Sequence, residues 1–374
     1  MIPRLCVLFL LVLGLVFGGA SSVLAQRQPV DERDLRLWAD RGDPDSQFEL
    51  GIRLVTGEGL KKNEKEGAEW VRKAAEQNHL RAQHAMGAFY EEGIGLEKNV
   101  GKAIEWYTRS ANNGFPEAQH TLGIACDLGR GVKKDPAESA QWFRKAANQD
   151  YAPSLAAYAS KLERGDGVAK NTGKAALYYL RASQRGHPPA MSRLAYMYYT
   201  GVGVPRDFRR AGAWYQRAAR ADDPWAKNDL AWFFSTCPDE SFHNGEIAVV
   251  LAKEAVKQIA EAGADERHAM LDTVAAALAR NGDFLGAVLW QKRAISLLST
   301  DKELEDEERV KLEKEFAGRL KGYQKQQPYV EEPPAAEEGT EPLPGDTILQ
   351  EERLPGRKKG PESPPSKSGK GSVV

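Results

Sequence analysis

The sequence predicts an all-α fold, a right-handed α-solenoid of stacked antiparallel helix pairs with a disordered C-terminal tail. Three observations predict it: Gly-x-Gly triplets, one aromatic residue and one pair of small residues all recur at a constant interval of 36 residues. The triplets are Gly57/Gly59, Gly93/Gly95, Gly129/Gly131, Gly165/Gly167 and Gly201/Gly203. Because a period of this length is typical of repeat architectures, we interpret these glycines as structural.

The N-terminus has the pattern of a secretory signal peptide, predicted over residues 1–25. After a single arginine, Leu5 to Phe17 is an unbroken apolar run. This run is shorter than the roughly 20 residues that span a bilayer. The small residues that end at Ala25 form a cleavage site, so we expect the mature chain to begin at Gln26 and to be exported to the periplasm or the extracellular space of a bacterium. No cysteine stands at the cleavage site, so no lipid anchor is expected. An uncleaved signal would instead make the protein a membrane-anchored structural spacer.

The repeats are predicted over residues 42–221, preceded by a capping half-repeat over residues 26–41. In the second repeat, Ala82, Met86 and Phe89 lie on one apolar stripe, which predicts an amphipathic helix, here called helix A. The Gly-x-Gly triplet is expected to end helix A because glycine tolerates the left-handed backbone of a helix C-terminus and of a tight turn. A second apolar stripe then predicts helix B, so each repeat is expected to be an antiparallel helix pair.

These motifs closely resemble the Sel1-like repeat, a relative of the tetratricopeptide repeat whose longer unit carries A-x-x-x-L-G-x-x-Y-x-x-G-x-G-V. In the third repeat the matching residues are Ala118, Leu122-Gly123, Gly129-Arg130-Gly131-Val132 and Ala146-Ala147. The resemblance implies an adaptor for membrane-associated assemblies, envelope signalling, polysaccharide export or host contact. Some cysteine-rich relatives are described as β-lactamases, so a β-lactamase or cell-wall hydrolase is the alternative. This chain lacks their paired cysteines.

Downstream of the repeats, residues 222–325 are predicted to hold a degenerate sixth repeat, a tetratricopeptide-like module and a capping helix. Cys237-Pro238-Asp239 replaces the Gly-x-Gly triplet in the sixth repeat. The capping helix is predicted from about Glu303 to Gly322. Nine of the 20 prolines fall within residues 326–374, so this charged segment is predicted to be a disordered tail.

The face of helix A opposite its apolar stripe predicts a partner-binding groove on the concave side. Equivalent positions of successive repeats share this face, so they form one strip along the stack. Aromatic residues that anchor and acids that select charge are suited to binding a protein or peptide. The candidate residues are Phe48, His84, Glu91, His120, Asp127, Glu163, Tyr196, Tyr199 and Trp232. The alternative is that the aromatic residues only pack against neighbouring helices.

Charge, spacing and motifs argue against other classes of function. The formal net charge of -1 does not favour a nucleic-acid partner. Stacked helices are about 8–10 Å apart, so His84 and His120 are expected to be too distant to share a metal. The glycine triplets end helices, whereas a phosphate-binding loop begins one. We therefore expect no cofactor, no metal and no catalytic residue, but a non-enzymatic adaptor that binds protein partners or cell-envelope components. Cys126 and Cys237 are expected to form no disulfide, with Cys126 in the core.

Overall fold

The structure is a computed structural model that describes residues 31–264, 267–301 and 304–351. Every regular element in these ranges is helical. The predicted signal peptide, its cleavage site after Ala25 and residues 352–374 of the predicted tail lie outside the described residues. Among the helices that the structure describes, none is both long and apolar enough to cross a membrane.

The helices follow the 36-residue period closely. A first helix, α1 (Glu32–Asp40), occupies the predicted half-repeat. The five repeats then supply the pairs α2 (Pro44–Thr56) and α3 (Glu64–Glu76), α4 (Leu80–Glu92) and α5 (Val100–Asn112), α6 (Pro116–Leu128) and α7 (Pro136–Ala147), α8 (Ala152–Arg164) and α9 (Thr172–Gln184), and α10 (Pro188–Thr200) and α11 (Phe208–Ala219).

Six further helices follow the repeats. They are α12 (Pro224–Thr236), α13 (Gly245–Glu261), α14 (His268–Arg280), α15 (Phe284–Leu298), α16 (Asp306–Gln324) and the short α17 (Ile348–Glu351). A single turn of 3₁₀ helix (Glu240–Phe242) stands in the sixth repeat, where the glycine triplet is missing. The helix predicted from about Glu303 to Gly322 is present as α16, which begins at Asp306, and its capping role stays a prediction.

Each helix A ends at the first glycine of its triplet. Gly57, Gly93, Gly129, Gly165 and Gly201 all adopt the left-handed conformation as C-caps. Helix B then begins after an N-cap residue whose side chain accepts a hydrogen bond from a backbone N–H. This bond satisfies one of the donors that the start of a helix leaves unpaired. These N-caps are Asn63, Asn99, Asp135, Asn171 and Asp207.

The second glycine of each triplet lies in the tight turn that follows helix A. Helix α4 ends at Glu92 with Gly93 as its C-cap, so Gly95 lies in the turn beyond the helix. Gly95 has a φ of 64°, and a Cβ atom there would overlap the backbone carbonyl of Glu64, the first residue of helix B in the preceding repeat. The structure therefore assigns Gly95 a packing role between repeats, in addition to its left-handed backbone.

The same close approach recurs at the later triplets. A Cβ on Gly131 would lie 2.6 Å from Cγ1 of Val100, the first residue of α5. On Gly167 it would overlap the carbonyl of Pro136, and on Gly203 it would lie 2.5 Å from the carbonyl oxygen of Thr172. On Gly59, in the first repeat, it would meet nothing within 4 Å. From the second repeat onward, the second glycine therefore lets one repeat pack closely against the helix B that precedes it.

By their internal contacts, the described residues divide into two compact units. The first unit contains residues 31–197, 201–205 and 336–346. Its core is rich in alanine at helix contacts, and Ala82, Met86 and Phe89 are buried there as the stripe predicted. Cys126 is a buried free thiol in this core, which confirms its predicted place.

The second unit contains residues 198–200, the described part of 206–335, and 347–351. Here α14 is buried along its length. Its Asp272 accepts hydrogen bonds from Nε2 of Gln291 (2.7 Å) and Nε of Arg319 (3.0 Å). This buried network fixes Arg319, on α16, in one position. Cys237 is a buried free thiol in this unit.

The chain reverses direction after α16 and continues without regular secondary structure over residues 327–346, here called the C-terminal segment. Gln326 makes the turn with a φ of 57°. The segment is hydrogen-bonded to both units, residues 327–335 to the second and 336–346 to the first. This differs from the prediction that everything beyond residue 325 is disordered. The segment has little apolar surface, but hydrogen bonds to its side-chain carboxylates hold it in place.

Candidate functional site

Within the strip on helix A, the positions equivalent to Trp232 form a central column that is exposed in two of the repeats. Ile124 on α6 and Tyr196 on α10 belong to this column and are 38% and 40% exposed. The equivalent positions in the first two repeats, Ile52 and Ala88, are buried. In the first unit, the third and fifth repeats therefore present apolar or aromatic surface to solvent along this column.

Both predicted histidines are hydrogen-bonded to the following repeat. The side chain of His84 is buried and that of His120 is half-buried. Nε2 of His84 lies 3.2 Å from Oγ1 of Thr121, and Nδ1 of His120 lies 2.8 Å from Oγ of Ser154. Desolvation lowers the pKa of both imidazoles to about 4, so both are neutral at neutral pH. The two side chains therefore connect successive repeats. Among the described residues, no group of three acids, histidines or cysteines is arranged to hold a metal.

The acids predicted for the groove form hydrogen bonds and ion pairs with residues of their own repeat and of the next one. Glu91 accepts a hydrogen bond from the Tyr107 hydroxyl (2.9 Å) and pairs with Arg130 (3.4 Å). Asp127 pairs with Lys161, whose side chain is 1% exposed. Each acid is thus bound by a cation that lies further along the chain.

Glu163 repeats this arrangement at the equivalent position of the fourth repeat. It accepts from the Tyr179 hydroxyl (3.1 Å) and from Nε of Arg193 (3.0 Å). Arg193 also lies over the Tyr196 ring, 4.9 Å from its centre. The exposed ring of Tyr196 is therefore held in place by a guanidinium that is itself paired.

Phe48, at the N-terminal end of the strip, is 9% exposed. Its ring centre lies 4.9 Å from that of His79. The structure therefore places Phe48 in the core of the first repeat, and its role in binding stays a prediction.

In the fifth repeat the acid position of the strip holds Tyr199, and the C-terminal segment supplies the carboxylate instead. The Tyr199 hydroxyl and Nε1 of Trp232 both donate to one oxygen of Glu331, at 3.0 Å and 2.8 Å. Burial and the Glu331 carboxylate raise the pKa of Tyr199, which keeps its hydroxyl a donor. The backbone N–H of Glu331 donates to the Thr236 carbonyl (2.8 Å). Two predicted strip residues therefore converge on one carboxylate.

Two arginines complete this site in the second unit. The Arg319 guanidinium lies 5.5 Å from the Trp232 ring centre and 5.2 Å from that of Tyr329. Arg280 donates to the backbone carbonyl of Tyr329 (2.9 Å). The Trp232 and Tyr329 rings pack at a tilt, 6.0 Å apart. We call Tyr199, Trp232, Arg280 and Arg319 the carboxylate site.

A second acid of the C-terminal segment is bound in the first unit, at a glycine triplet. One oxygen of Glu337 accepts from the backbone N–H of Gly203 (2.8 Å) and from the Thr172 hydroxyl (2.9 Å). The backbone N–H of Glu337 donates to the Gly201 carbonyl (2.9 Å). The fifth triplet therefore binds a carboxylate through main-chain atoms.

The sequence reasoning missed Arg280, Arg319, Glu331 and Glu337. One signal was available: the strip position that holds Glu91, Asp127 and Glu163 becomes Tyr199 in the fifth repeat. Three successive repeats hold an acid at this position, and the change to tyrosine marks the place where a carboxylate from elsewhere in the chain is bound.

The comparisons with known proteins agree with the repeat geometry. The chain is similar to c5321, a protective antigen of uropathogenic Escherichia coli that displays an SLR fold, with 26% identity and a TM-score of 0.58 over 79% of this chain and 73% of that one. It is also similar to a Sel1 repeat protein from Oxalobacter formigenes, with 29% identity and a TM-score of 0.52 over 57% of this chain and 86% of that one. The comparison with curated proteins gives no match.

The Sel1 repeat model matches five consecutive segments, residues 44–79, 80–115, 116–151, 152–187 and 188–223. These segments coincide with the five pairs from α2 to α11. The chain therefore contains five Sel1 repeats over residues 44–223, as its motifs predicted.

Proposed function

We propose that this protein is an exported adaptor that binds protein partners through the helix A strip and carries out no reaction of its own. Sel1 repeats form a solenoid that typically serves as a protein-interaction scaffold. The mature chain would begin at Gln26 and act in the periplasm or outside the cell.

One observation carries the proposal: residues of helix A, of the turn after it and of the start of a helix B already bind acids of the chain's own C-terminal segment. In the second unit Tyr199 and Trp232 hold Glu331, and in the first unit Gly203 and Thr172 hold Glu337. Both acids are bound by directional donors, which select for a carboxylate at a defined place. A partner segment would be recognised by the same kinds of contact, in which main-chain donors and aromatic anchors combine.

The exposed central column supplies further surface in the first unit. Tyr196 presents a ring held by Arg193, and Ile124 presents an aliphatic side chain. Aromatic anchors of restricted mobility are typical of residues that dominate binding energy at interfaces, since little entropy is lost when they are covered.

Photo-crosslinking in the native host tests the assignment of the surface. A photoreactive phenylalanine analogue is placed at Ile124 or Tyr196 in the full chain. Leu177, on the helix B α9, is 37% exposed and serves as a control of nearly the same accessibility as Ile124. We expect a defined crosslinked protein from positions 124 and 196 and none from position 177. Equal crosslinking from all three positions would contradict the proposal.

Export is tested separately by the intact mass of the protein recovered from its host. A chain that begins at Gln26 is the expected result. A mass that corresponds to a start at Met1 would favour the membrane-anchored spacer.

A further inference from the structure

The C-terminal segment alternates between residues that face the second unit and residues that face solvent. Tyr329 and Glu331 contact the carboxylate site, whereas Val330 is 42% exposed and Glu332 is exposed. This is the period of an extended strand, in which successive side chains point to opposite sides. A peptide needs only the first and third of three residues to satisfy the site.

Both arginines of the carboxylate site are held by hydrogen bonds to other residues of the second unit. Arg319 is held by the buried Asp272, and its guanidinium lies 5.2 Å from the Tyr329 ring centre. Nε of Arg280 donates to the Ser235 carbonyl (2.6 Å), which leaves another nitrogen to reach the peptide backbone. Side chains that are held in place by their own hydrogen bonds lose little entropy on binding.

The chemistry of the site is specific for an aromatic residue two positions before an acid. The aromatic ring is flanked by Trp232 and the Arg319 guanidinium, and such a cation–π arrangement favours an aromatic over an aliphatic side chain. The acid meets two neutral donors, a phenol and an indole. An amide in its place would lose a charge-assisted hydrogen bond.

In the second unit the segment is held through side chains and carbonyl oxygens more than through its own backbone N–H groups. Among the described contacts of residues 328–335, the one backbone N–H that donates to a helix is that of Glu331. Residues 328, 333 and 334 are prolines, which have no N–H to offer. A segment held by a small number of hydrogen bonds can be displaced by a competitor that makes the same contacts.

We propose that the carboxylate site is a recognition site for a partner protein with an extended aromatic-x-Glu sequence, and that Tyr329-Val330-Glu331 of the chain itself fills it until such a partner displaces it. This inference rests on the proposed adaptor function and names the peptide chemistry that the second unit accepts. The chain's own segment would then set the affinity that a partner must exceed, because a tethered segment competes at an effective concentration of the order of millimolar.

The test uses the full chain and a fluorescein-labelled peptide with the sequence of residues 326–334. Binding is followed by fluorescence anisotropy. In the wild type the site is filled, so we expect weak binding. Replacing Tyr329 and Glu331 together by alanine vacates the site, and the labelled peptide should then bind at least tenfold more tightly. Glu332→Gln, next to Glu331 but facing solvent, should bind the peptide as the wild type does.

Two further measurements distinguish peptide binding at the carboxylate site from non-specific binding to a partly unfolded chain. Adding Trp232→Ala to the double variant should remove the gained affinity. A peptide in which glutamine stands at the place of Glu331 should bind the double variant at least tenfold more weakly. If the double variant fails to fold, Glu331→Gln alone replaces it, with the same expected order of affinities.

Equal peptide affinity in the wild type and the vacated variant would overturn the proposal. So would affinity that is insensitive to Trp232→Ala or to the glutamine peptide. The crosslinks from positions 124 and 196 belong to the first unit and would persist in that case, so failure of this inference is distinguishable from failure of the adaptor function.

Discussion

Replacing Gly167 by alanine should destabilise the protein more than the same replacement at Gly59. Both residues are the second glycine of a triplet, both are exposed, and their φ angles are nearly equal at 71° and 69°. A Cβ on Gly167 would overlap the carbonyl of Pro136, whereas one on Gly59 would meet nothing within 4 Å. The pair therefore isolates the cost of close packing between repeats from the cost of the backbone conformation.

The magnitudes follow from these two geometries. A left-handed conformation costs a non-glycine residue about 1–2 kcal/mol, and this applies equally to both variants. Alanine also lowers the conformational entropy of the unfolded chain, which offsets about 0.4–1 kcal/mol of this cost in both variants. Overpacking adds about 1–3 kcal/mol, and only Gly167→Ala incurs it. We therefore expect Gly59→Ala to lose about 1 kcal/mol and Gly167→Ala to lose about 1–3 kcal/mol more.

Equilibrium urea unfolding, followed by far-ultraviolet circular dichroism, measures both losses against the wild type. Equal destabilisation by the two substitutions would show that the second glycine is needed for its φ angle alone, contrary to this prediction. A double variant should lose the sum of the two, since the sites lie three repeats apart and share no contact partner.

Two further predictions concern buried groups. Burial lowers the pKa of His84 to about 4, below the value of about 6.5 for an unfolded chain. On acidification the unfolded chain binds this proton first, which favours unfolding. The free energy of unfolding is therefore unaffected by His84 above about pH 6.5 and falls as the pH is lowered towards 4. At pH 5 the loss is about 2 kcal/mol, and a His84→Gln variant should lose less stability between pH 7 and pH 5 than the wild type. Burial also raises the pKa of Cys126 to about 11 and that of Cys237 to about 12, so neither thiol should react with a disulfide reagent until the chain unfolds, and rapid labelling of the native protein would contradict this.

The sequence was sufficient to predict the helices of the repeats and their ends. A glycine that ends helix A acts locally, through its own backbone angle, so its effect is visible in the residue type and the period. The same holds for the apolar stripe of Ala82, Met86 and Phe89, because the geometry of one helix decides which residues share a face. The packing role of Gly95 was not visible in this way, since it depends on the backbone of Glu64 in the preceding repeat.

The strip was harder to predict, because a helical wheel shows which face a residue shares but not what covers that face. Glu91 lies on the predicted face, yet Tyr107 of helix B and Arg130 of the next turn both reach it. His84 is buried by Tyr107 and Phe115, whose rings come from outside its own helix. Of the nine candidates, Tyr196 is the one with an exposed side chain, and Tyr199 and Trp232 are bound to the chain's own Glu331.

The C-terminal segment shows why composition misled the prediction for residues 327–346. Proline-rich, charged sequence lacks the apolar surface that orders a chain on its own. Order here comes from individual carboxylates at long sequence separation, such as Glu331 with Trp232 and Glu337 with Gly203. Contacts of this kind depend on tertiary structure and leave no periodic trace in the sequence.

Hydrogen exchange of the C-terminal segment tests whether the chain's own acids occupy the helix A side. The backbone amides of Glu331 and Glu337 donate to Thr236 and Gly201, whereas the amides of their outward neighbours have no such acceptor among the described contacts. In the full chain, mass spectrometry with residue resolution should therefore show slowed exchange at residues 331 and 337. Glu331→Gln should weaken the protection at residue 331, and Glu332→Gln should leave it unchanged. Exchange of both amides at the rate of an unstructured peptide would contradict this placement of the acids.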